Sequence, residues 1–176
     1  MNANPPTLTM AVYAFIERLR TRRSNVRPED LAMGIDNAFE PQLTFSDFPE
    51  QTGEEFLLSE TRARKYLQSI YPSLRRHYEW FRRTQRGQIK QYGRKARSRT
   101  EAYRWRGRTT EHILTSGMDD YPRANPHSGE LHLDLISWMG FFTRTMRGIA
   151  NYIGEEEDSR SFEEIENAIL ANIDGS

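Results

Sequence analysis

Three absences limit what this chain of 176 residues does. It has no cysteine, which excludes a disulfide framework and thiolate chemistry and leaves the redox compartment undetermined. No apolar run approaches the roughly 18 residues that a membrane span requires. The first fifteen residues, MNANPPTLTMAVYAF, lack the charged start and the cleavage site of a secretory signal. We therefore expect any targeting or anchoring segment to be missing from this chain.

An excess of charge of one sign is also lacking, because 25 basic residues balance 25 acidic ones. This balance argues against a protein whose whole surface binds nucleic acid or membrane. The charges are nevertheless segregated along the chain. Residues 75–108 contain thirteen Arg and Lys against two acids, whereas residues 155–166 contain seven acids and one Arg. With 36% hydrophobic and 28% charged residues, the chain is polar for a self-contained globule but is not of the disordered class.

Apolar residues at helical spacing predict two helices in the first half of the chain. The first covers about residues 8–22, with Thr7 as its N-cap. Helical spacing returns at Ser59 and continues to Phe81, although Pro72 interrupts it. Because proline removes a backbone donor and restricts the preceding residue, we expect two helices here or one helix broken at the proline.

Two further helices are predicted in the second half. Residues 130–154 form a broad apolar face that ends at Gly154, a residue suited to a helix C-terminus. The acidic run 155–158 then reads as a solvated turn. The letters SFEE match a capping box, which predicts a last helix with Ser161 as N-cap and Glu164 at the third position. The Trp138, Met139, Phe141 and Phe142 cluster has the spacing of a buried helix face and is interpreted as core.

Long segments without a clear period, 24–58 and 86–129, separate these helices. Such connections are unusual in a compact domain unless they have a function. The sequence therefore predicts an all-α fold of helical hairpins with long loops. The apolar faces exceed what so short a chain can cover, so we expect residues 1–176 to be a single segment of a larger helical solenoid or toroid.

The segment 80–108 interleaves Arg and Lys with five aromatic residues. This pattern allows an RNA-binding helical module that uses residues 75–108, since cations bind phosphates and aromatic rings stack on bases. It also allows an exposed helix end and loop whose arginines pair with the acidic tail, or a site for a sugar or an anionic ligand. The adjacent acids Asp119 and Asp120 follow closely, and their charges would repel phosphate. They favour a sugar site.

A candidate metal cluster is rejected on its spacing. His127, Glu130, His132 and Asp134 are metal-ligand types, but residues two apart diverge on a helix and no zinc pattern is met. The sequence predicts neither a metal nor a cofactor.

Several long motifs in a fixed order resemble glycoside hydrolase family 63, the family of processing α-glucosidases. They are NPPT, WFRRTQ, YRWRGRT, LTSGMDDYPRA and GELHLDLISWMGFFTRTM, and they extend from about Asn4 to Gly154. The resemblance implies an (α/α) toroid whose active site is built from loops at one end, with residues 86–129 as the active-site loop region. It also implies an enzyme of the endoplasmic-reticulum lumen, a type II membrane protein whose anchor this chain lacks.

The implied reaction is the removal, with inversion, of the terminal α-1,2-linked glucose from the triglucosylated N-glycan precursor. By the family motif, Asp119 is the general acid. Asp120 is expected to bind sugar hydroxyls or Arg123; the alternative is that it caps the turn or forms a salt bridge within the loop. Trp105, Arg106 and Arg108 are candidate sugar-binding residues, with loop anchoring as the alternative. Tyr121 and Arg123 are further candidates for sugar binding, and the alternative for them is a purely structural role in the turn.

Inversion requires a second carboxylate about 6.5–9.5 Å from the acid, and adjacent residues do not flank one carbon from opposite faces. The family places its base far downstream, beyond Ser176. Glu130, the nearest local candidate, is expected to stabilise a helix N-terminus instead. We therefore expect the chain alone to be inactive. Its expected partners are the oligosaccharide and the remainder of the catalytic domain, with self-association through exposed helix faces and no nucleic acid. A purely structural role is a further alternative.

Overall fold

A computed structural model describes residues 3–25, 57, 59–89, 93, 95–98, 100–107 and 127–173. Within these ranges the chain is all-α, as predicted, with helices α1 (Leu8–Asn25), α2 (Glu60–Thr84), α3 (Leu133–Ile153) and α4 (Glu156–Ile173). The described residues form no β-strand, and their single β-bridge joins Arg86 and Tyr103. Closure into a toroid remains a prediction.

The first two helices form for reasons visible in the sequence. Helix α1 begins directly after Thr7 and buries Val12, Ile16 and Leu19 at helical spacing. Helix α2 is capped by Ser59, whose side chain accepts a hydrogen bond from the Arg62 N–H at 3.3 Å.

Helix α2 is a single helix, so the predicted break at Pro72 is wrong. Pro72 is exposed, while Tyr71 and Leu74 on the other side of the helix are buried. The carbonyl that loses its partner belongs to Gln68, which is also exposed and accessible to water. The proline is therefore tolerated within the helix.

Helix α3 is central and packs against the three other helices. Its predicted end is confirmed, because Gly154 adopts φ 91° and donates its N–H to the Ala150 carbonyl at 2.9 Å. Its predicted start at Glu130 is three residues early, since the helix begins at Leu133. Met139 and Phe142 are fully buried, which confirms their interpretation as core, and Trp138 packs against that core. Phe141 is partly buried and contacts Tyr13 and Trp138.

The predicted start of α4 is wrong. The helix begins at Glu156, so Ser161 lies within it and is not its N-cap. The acids expected in a solvated turn form its first turn instead, where the positive end of the helix dipole favours them. Asp158 in this turn bonds to α2, a long-range contact that a local pattern does not reveal.

The directions of α1, α3 and α4 place three helix ends at one end of the bundle. Tyr13 packs on Phe141 with ring centroids 5.0 Å apart, and a Cβ at Gly148 would approach Ile16 to 3.4 Å, so α1 and α3 run parallel. Helix α4 runs antiparallel to α3, because Ile169 lies beside Gly140 and pairs further along follow in reverse order. The starts of α1 and α3 therefore lie at the same end as the end of α4. Within the described ranges, no helix combines the length and apolarity needed to cross a bilayer.

Candidate active site

Most of the predicted site residues lie outside the described residues: Arg108, Asp119, Asp120, Tyr121 and Arg123. Trp105 and Arg106 are described, as are the two arms that lead into and out of the segment 108–126. These arms are residues 101–107 and 127–132. Their geometry shows what holds the ends of the segment that carries the predicted acid.

The incoming arm pairs with the end of α2. The Arg104 N–H donates to the Gln85 carbonyl at 2.9 Å, and the Gly87 N–H donates to the Ala102 carbonyl at 2.7 Å. The Gln85 side chain is fully buried, and its Oε1 accepts the Arg106 N–H at 2.8 Å. The arm is thus fixed on one side by both the backbone and the side chain of Gln85.

The outgoing arm pairs with the other side of the same residues. The His132 N–H donates to the Tyr103 carbonyl at 2.9 Å, and His132 Nδ1 accepts the Trp105 N–H at 2.8 Å. Arg104 adds a further link, from its Nη1 to the His127 carbonyl at 2.9 Å. The two arms are therefore joined directly, although 27 residues separate Trp105 from His132.

Trp105 is buried, with 1% of its surface exposed. Its ring lies near Phe81, and its Nε1 donates to Asp134 Oδ2 at 2.8 Å in the first turn of α3. The ring offers no open face to a sugar in this arrangement, and its assignment as a sugar-binding residue remains a prediction. Arg106 has an exposed side chain, whose Nη2 donates to the Arg86 carbonyl at 3.1 Å. That contact matches the loop-anchoring alternative.

A buried carboxylate stabilises the start of the incoming arm. Glu101 is 2% exposed, accepts a bond from Arg82 Nη2 at 2.6 Å and accepts the Tyr103 hydroxyl. Burial acts to lower the pKa of Arg82, but the Glu101 charge offsets this effect and the pKa is raised. Burial, together with the same carboxylate, raises the pKa of Tyr103. The guanidinium therefore stays charged and the phenol stays neutral at physiological pH.

The Asn172 side chain joins helix α4 to the start of this arm and to Ser98 before it. Asn172 Oδ1 accepts the Ser98 N–H at 2.7 Å, and its Nδ2 donates to the carbonyls of Ser98 and Glu101, each at 2.9 Å. A cavity of about 250 Å³ lies beside this contact. Its lining is mainly apolar and comes from the connection between α2 and residue 103, from the start of α3 and from the end of α4.

Sequence reasoning did not find the residues that support the site: Gln85, Glu101, His132, Asp134 and Asn172. His132 and Asp134 were considered only as metal ligands and rejected. Among the described residues, no group of three His, Asp or Glu side chains is arranged to hold a metal ion. The available signal was a pair of polar residues, two apart, at the start of an apolar helix.

A family model described as "Glycosyl hydrolase family 63 C-terminal domain" matches residues 1–175. The chain belongs to glycoside hydrolase family 63. The family predicted from the motifs is confirmed. The match gives no support to the RNA-binding alternative. Part of the basic segment is also neutralised internally, since Arg75 pairs with Asp158 and Arg82 pairs with Glu101.

Relatives of this family 63 chain carry related names. "Probable mannosyl-oligosaccharide glucosidase" of Schizosaccharomyces pombe is 40% identical over 173 residues, which are 98% of this chain and 20% of the relative. "Mannosyl-oligosaccharide glucosidase" of Saccharomyces cerevisiae is 34% identical over 181 residues, covering 98% of this chain and 21% of the relative. "Alpha-glucosidase 2" of Arabidopsis thaliana is 26% identical over 164 residues, covering 89% of this chain and 16% of the relative. The chain spans about a fifth of the length of the first two.

Proposed function

We propose that this chain forms part of the catalytic domain of an inverting α-glucosidase. Its reaction removes the terminal α-1,2-linked glucose from the triglucosylated N-glycan precursor. The observation that carries the proposal is the 40% identity, over 98% of the chain, to a relative named as a probable mannosyl-oligosaccharide glucosidase. A second relative with the same activity in its name supports it at 34% identity.

In this reaction Asp119 is the general acid. The protonated carboxyl donates its proton to the glycosidic oxygen as the bond to the anomeric carbon breaks. Asp120 stays ionised and binds sugar hydroxyls or Arg123. Arg106, Arg108 and Tyr121 complete the sugar-binding set, and Trp105 supports it. Two arms tied to each other and to α2 support a site that is held from both ends.

The water that attacks from the opposite face needs a general base, at about 6.5–9.5 Å from the acid. We place this base outside residues 1–176, in the remainder of the catalytic domain. The chain spans 20% of the relative's length, which leaves ample sequence to supply it. A positioned acid or base contributes about 10²–10⁴ in rate, so the chain alone is inactive.

The cellular setting follows from the same relationship. The enzyme works in the lumen of the endoplasmic reticulum, and a membrane anchor outside this chain holds it there. The remainder of the catalytic domain is the main protein partner. Large apolar side chains on the described surface provide contacts for it, and in its absence they promote self-association: Leu8, Met10, Leu133 and Leu170.

The test is a chimera in which this chain replaces the 173 matching residues of the S. pombe relative. Glucose release from a triglucosylated oligosaccharide is expected from the chimera and not from the chain alone. Asp119→Asn should lower the release by about 10²–10⁴. Glu164→Gln, which alters an exposed acid of α4, is the matched control and should leave it unchanged.

The outcomes separate the parts of the proposal. A folded chimera that releases no glucose would overturn the proposed activity. Near-normal release by Asp119→Asn would leave the activity in place and overturn the acid assignment. Release by the chain alone would show that the base lies within residues 1–176, and Glu130 or Asp120 would then take that role.

A further inference from the structure

His132 makes two bonds to the same short stretch of backbone. Its N–H donates to the Tyr103 carbonyl, and its Nδ1 accepts the Trp105 N–H at 2.8 Å. On the opposite side, the intervening Arg104 N–H donates to the Gln85 carbonyl. Residues 103–105 are therefore held like a strand between two neighbours. The imidazole supplies the acceptor that a second strand would otherwise provide.

This role requires a particular form of the ring. Because Nδ1 accepts a hydrogen bond, it carries a lone pair and the proton of the neutral imidazole is on Nε2. Nε2 lies 3.6 Å from Glu130 Oε2, so the carboxylate faces the protonated nitrogen and favours this tautomer. His132 is 8% exposed, so water has little access to replace the bond to Trp105.

A second bond from the same turn of chain fixes the Trp105 ring. Asp134 Oδ2 accepts the indole N–H at 2.8 Å. Residues 132 and 134 thus hold the backbone and the side chain of Trp105 together. Trp105 leads into the segment 108–126 through Arg106 and Gly107, and His132 receives that segment through residues 127–131.

From this geometry we propose that His132 is a positioning residue for the glycosidase reaction. Its neutral Nδ1 fixes the distance between the two arms of the segment that carries Asp119. The inference rests on the proposed function for its effect on catalysis. The bond between His132 and Trp105 stands on the structure alone.

Two substitutions test whether the hydrogen-bond acceptor at the Nδ1 position, and not the imidazole ring as such, is required. In His132→Asn the side-chain Oδ1 occupies the place of Nδ1, so an acceptor for the Trp105 N–H is kept. In His132→Gln the amide reaches instead to the place of Nε2, and the acceptor at the Nδ1 position is lost. His77→Gln is the matched control: the same substitution on α2, where the ring contacts Trp80, Phe81 and Phe142.

The first readout is hydrogen exchange of the Trp105 amide in the isolated chain. His132→Gln should accelerate this exchange by about tenfold or more, and His132→Asn should keep it within about threefold. The second readout is glucose release by the chimera. Since a displacement of about 1 Å costs up to 10²-fold, His132→Gln should lower kcat by about 10–100-fold, with a smaller change in KM. His132→Asn should restore most of kcat.

Restoration by Asn together with loss in Gln supports a positioning role, because a merely structural defect would not follow the place of the acceptor. Equal kcat for His132→Gln, His77→Gln and the unchanged chimera would overturn the inference while the proposed function stood. Equal losses in the Asn and Gln variants, with both folded by circular dichroism, would also overturn it. If the unchanged chimera released no glucose, the proposed function and the catalytic part of the inference would both fall. Trp105 exchange would still decide whether His132 joins the arms.

Discussion

The Tyr71 hydroxyl donates to Asp158 Oδ2 at 2.6 Å and thereby joins the middle of α2 to the first turn of α4. Arg75 Nη1 binds the same oxygen at 2.7 Å. Burial, reinforced by the Asp158 carboxylate, raises the pKa of Tyr71, so the phenol remains a donor throughout the physiological range. One carboxylate thus serves two donors on a neighbouring helix.

Removing that carboxylate should destabilise the fold. Asp158→Ala leaves the buried Tyr71 hydroxyl without its acceptor, and we expect a loss of about 1–3 kcal/mol in the free energy of unfolding. Urea unfolding followed by circular dichroism measures it. Glu157→Ala is the control, since Glu157 lies in the same helical turn but is exposed. An equal loss in the two variants would mean that the helix dipole, and not the bond to Tyr71, is the cause.

The buried carboxylate of Glu101 should contribute more to the free energy of unfolding than an exposed carboxylate does. Glu101→Gln weakens the hydrogen bonds that Arg82 and Tyr103 donate to the carboxylate. The expected loss in the free energy of unfolding is about 1.5–3 kcal/mol, the range for hydrogen bonds to charged groups. The control is Glu79→Gln, whose side chain is 61% exposed and pairs with Arg75; its loss should stay below about 1 kcal/mol. Similar losses in the two variants, again by urea unfolding, would contradict the prediction.

Asn172 should control local rather than global stability. Asn172→Ala removes three hydrogen bonds to Ser98 and Glu101. These bonds hold the basic residues 95–98 against the end of α4. We expect trypsin to cut after Lys95 and Arg97 at least tenfold faster, because local opening exposes these sites more often. The control is Asn167→Ala, at an exposed position on the same helix, and trypsin should cut this variant at the original rate. Unchanged cleavage in Asn172→Ala would show that the loop is held by other contacts.

The apolar residues at one end of the bundle should drive self-association of the isolated chain. Met10 is 55% exposed and Leu133 is 66% exposed, and both lie at the start of their helices. The double change Met10→Ser and Leu133→Ser should weaken association by about tenfold or more, given about 1.5–3 kcal/mol per buried apolar side chain. Sedimentation over a concentration series measures it. Tyr66→Ser is the control: Tyr66 is an exposed residue of α2 close to Arg64, which lies over the Tyr152 ring near the end of α3, and this change should have little effect. If it weakened association equally, this end of the bundle would not be the interface.

Periodicity predicted the fold where local pattern and packing agree. Helices α1 and α3 follow from apolar spacing, and Gly154 ends α3 because only a residue tolerant of positive φ fits there. The start of α4 was missed because Ser161 and Glu164 imitate a capping box inside a helix. The acidic run 155–158 before them has the composition of a solvated turn. Asp158 is instead held by Tyr71, 87 residues earlier, and no local pattern contains that contact.

Most of the predicted site residues lie outside the described residues, and local patterns could not predict the long-range contacts that support the site. Motifs identified the family and predicted a site around Asp119, but motifs do not report burial. Trp105 is a predicted sugar-binding residue, and in the structure its ring lies near Phe81 with its N–H bonded to Asp134. Hydrogen bonds between residues 27 and 29 apart decide this arrangement, and spacing rules for helices and strands do not reach that far.

The tight connection at Gly154 and Glu155 has a consequence for the order of folding. Helices α3 and α4 are adjacent in sequence and pack antiparallel, so their contacts close short loops at low entropic cost. The contacts of α1 with α3 join residues more than a hundred positions apart. The α3–α4 hairpin should therefore form first and provide the surface on which α1 and α2 condense. Pulse-labelled hydrogen exchange would then show protected amides in α3 and α4 before those in α1.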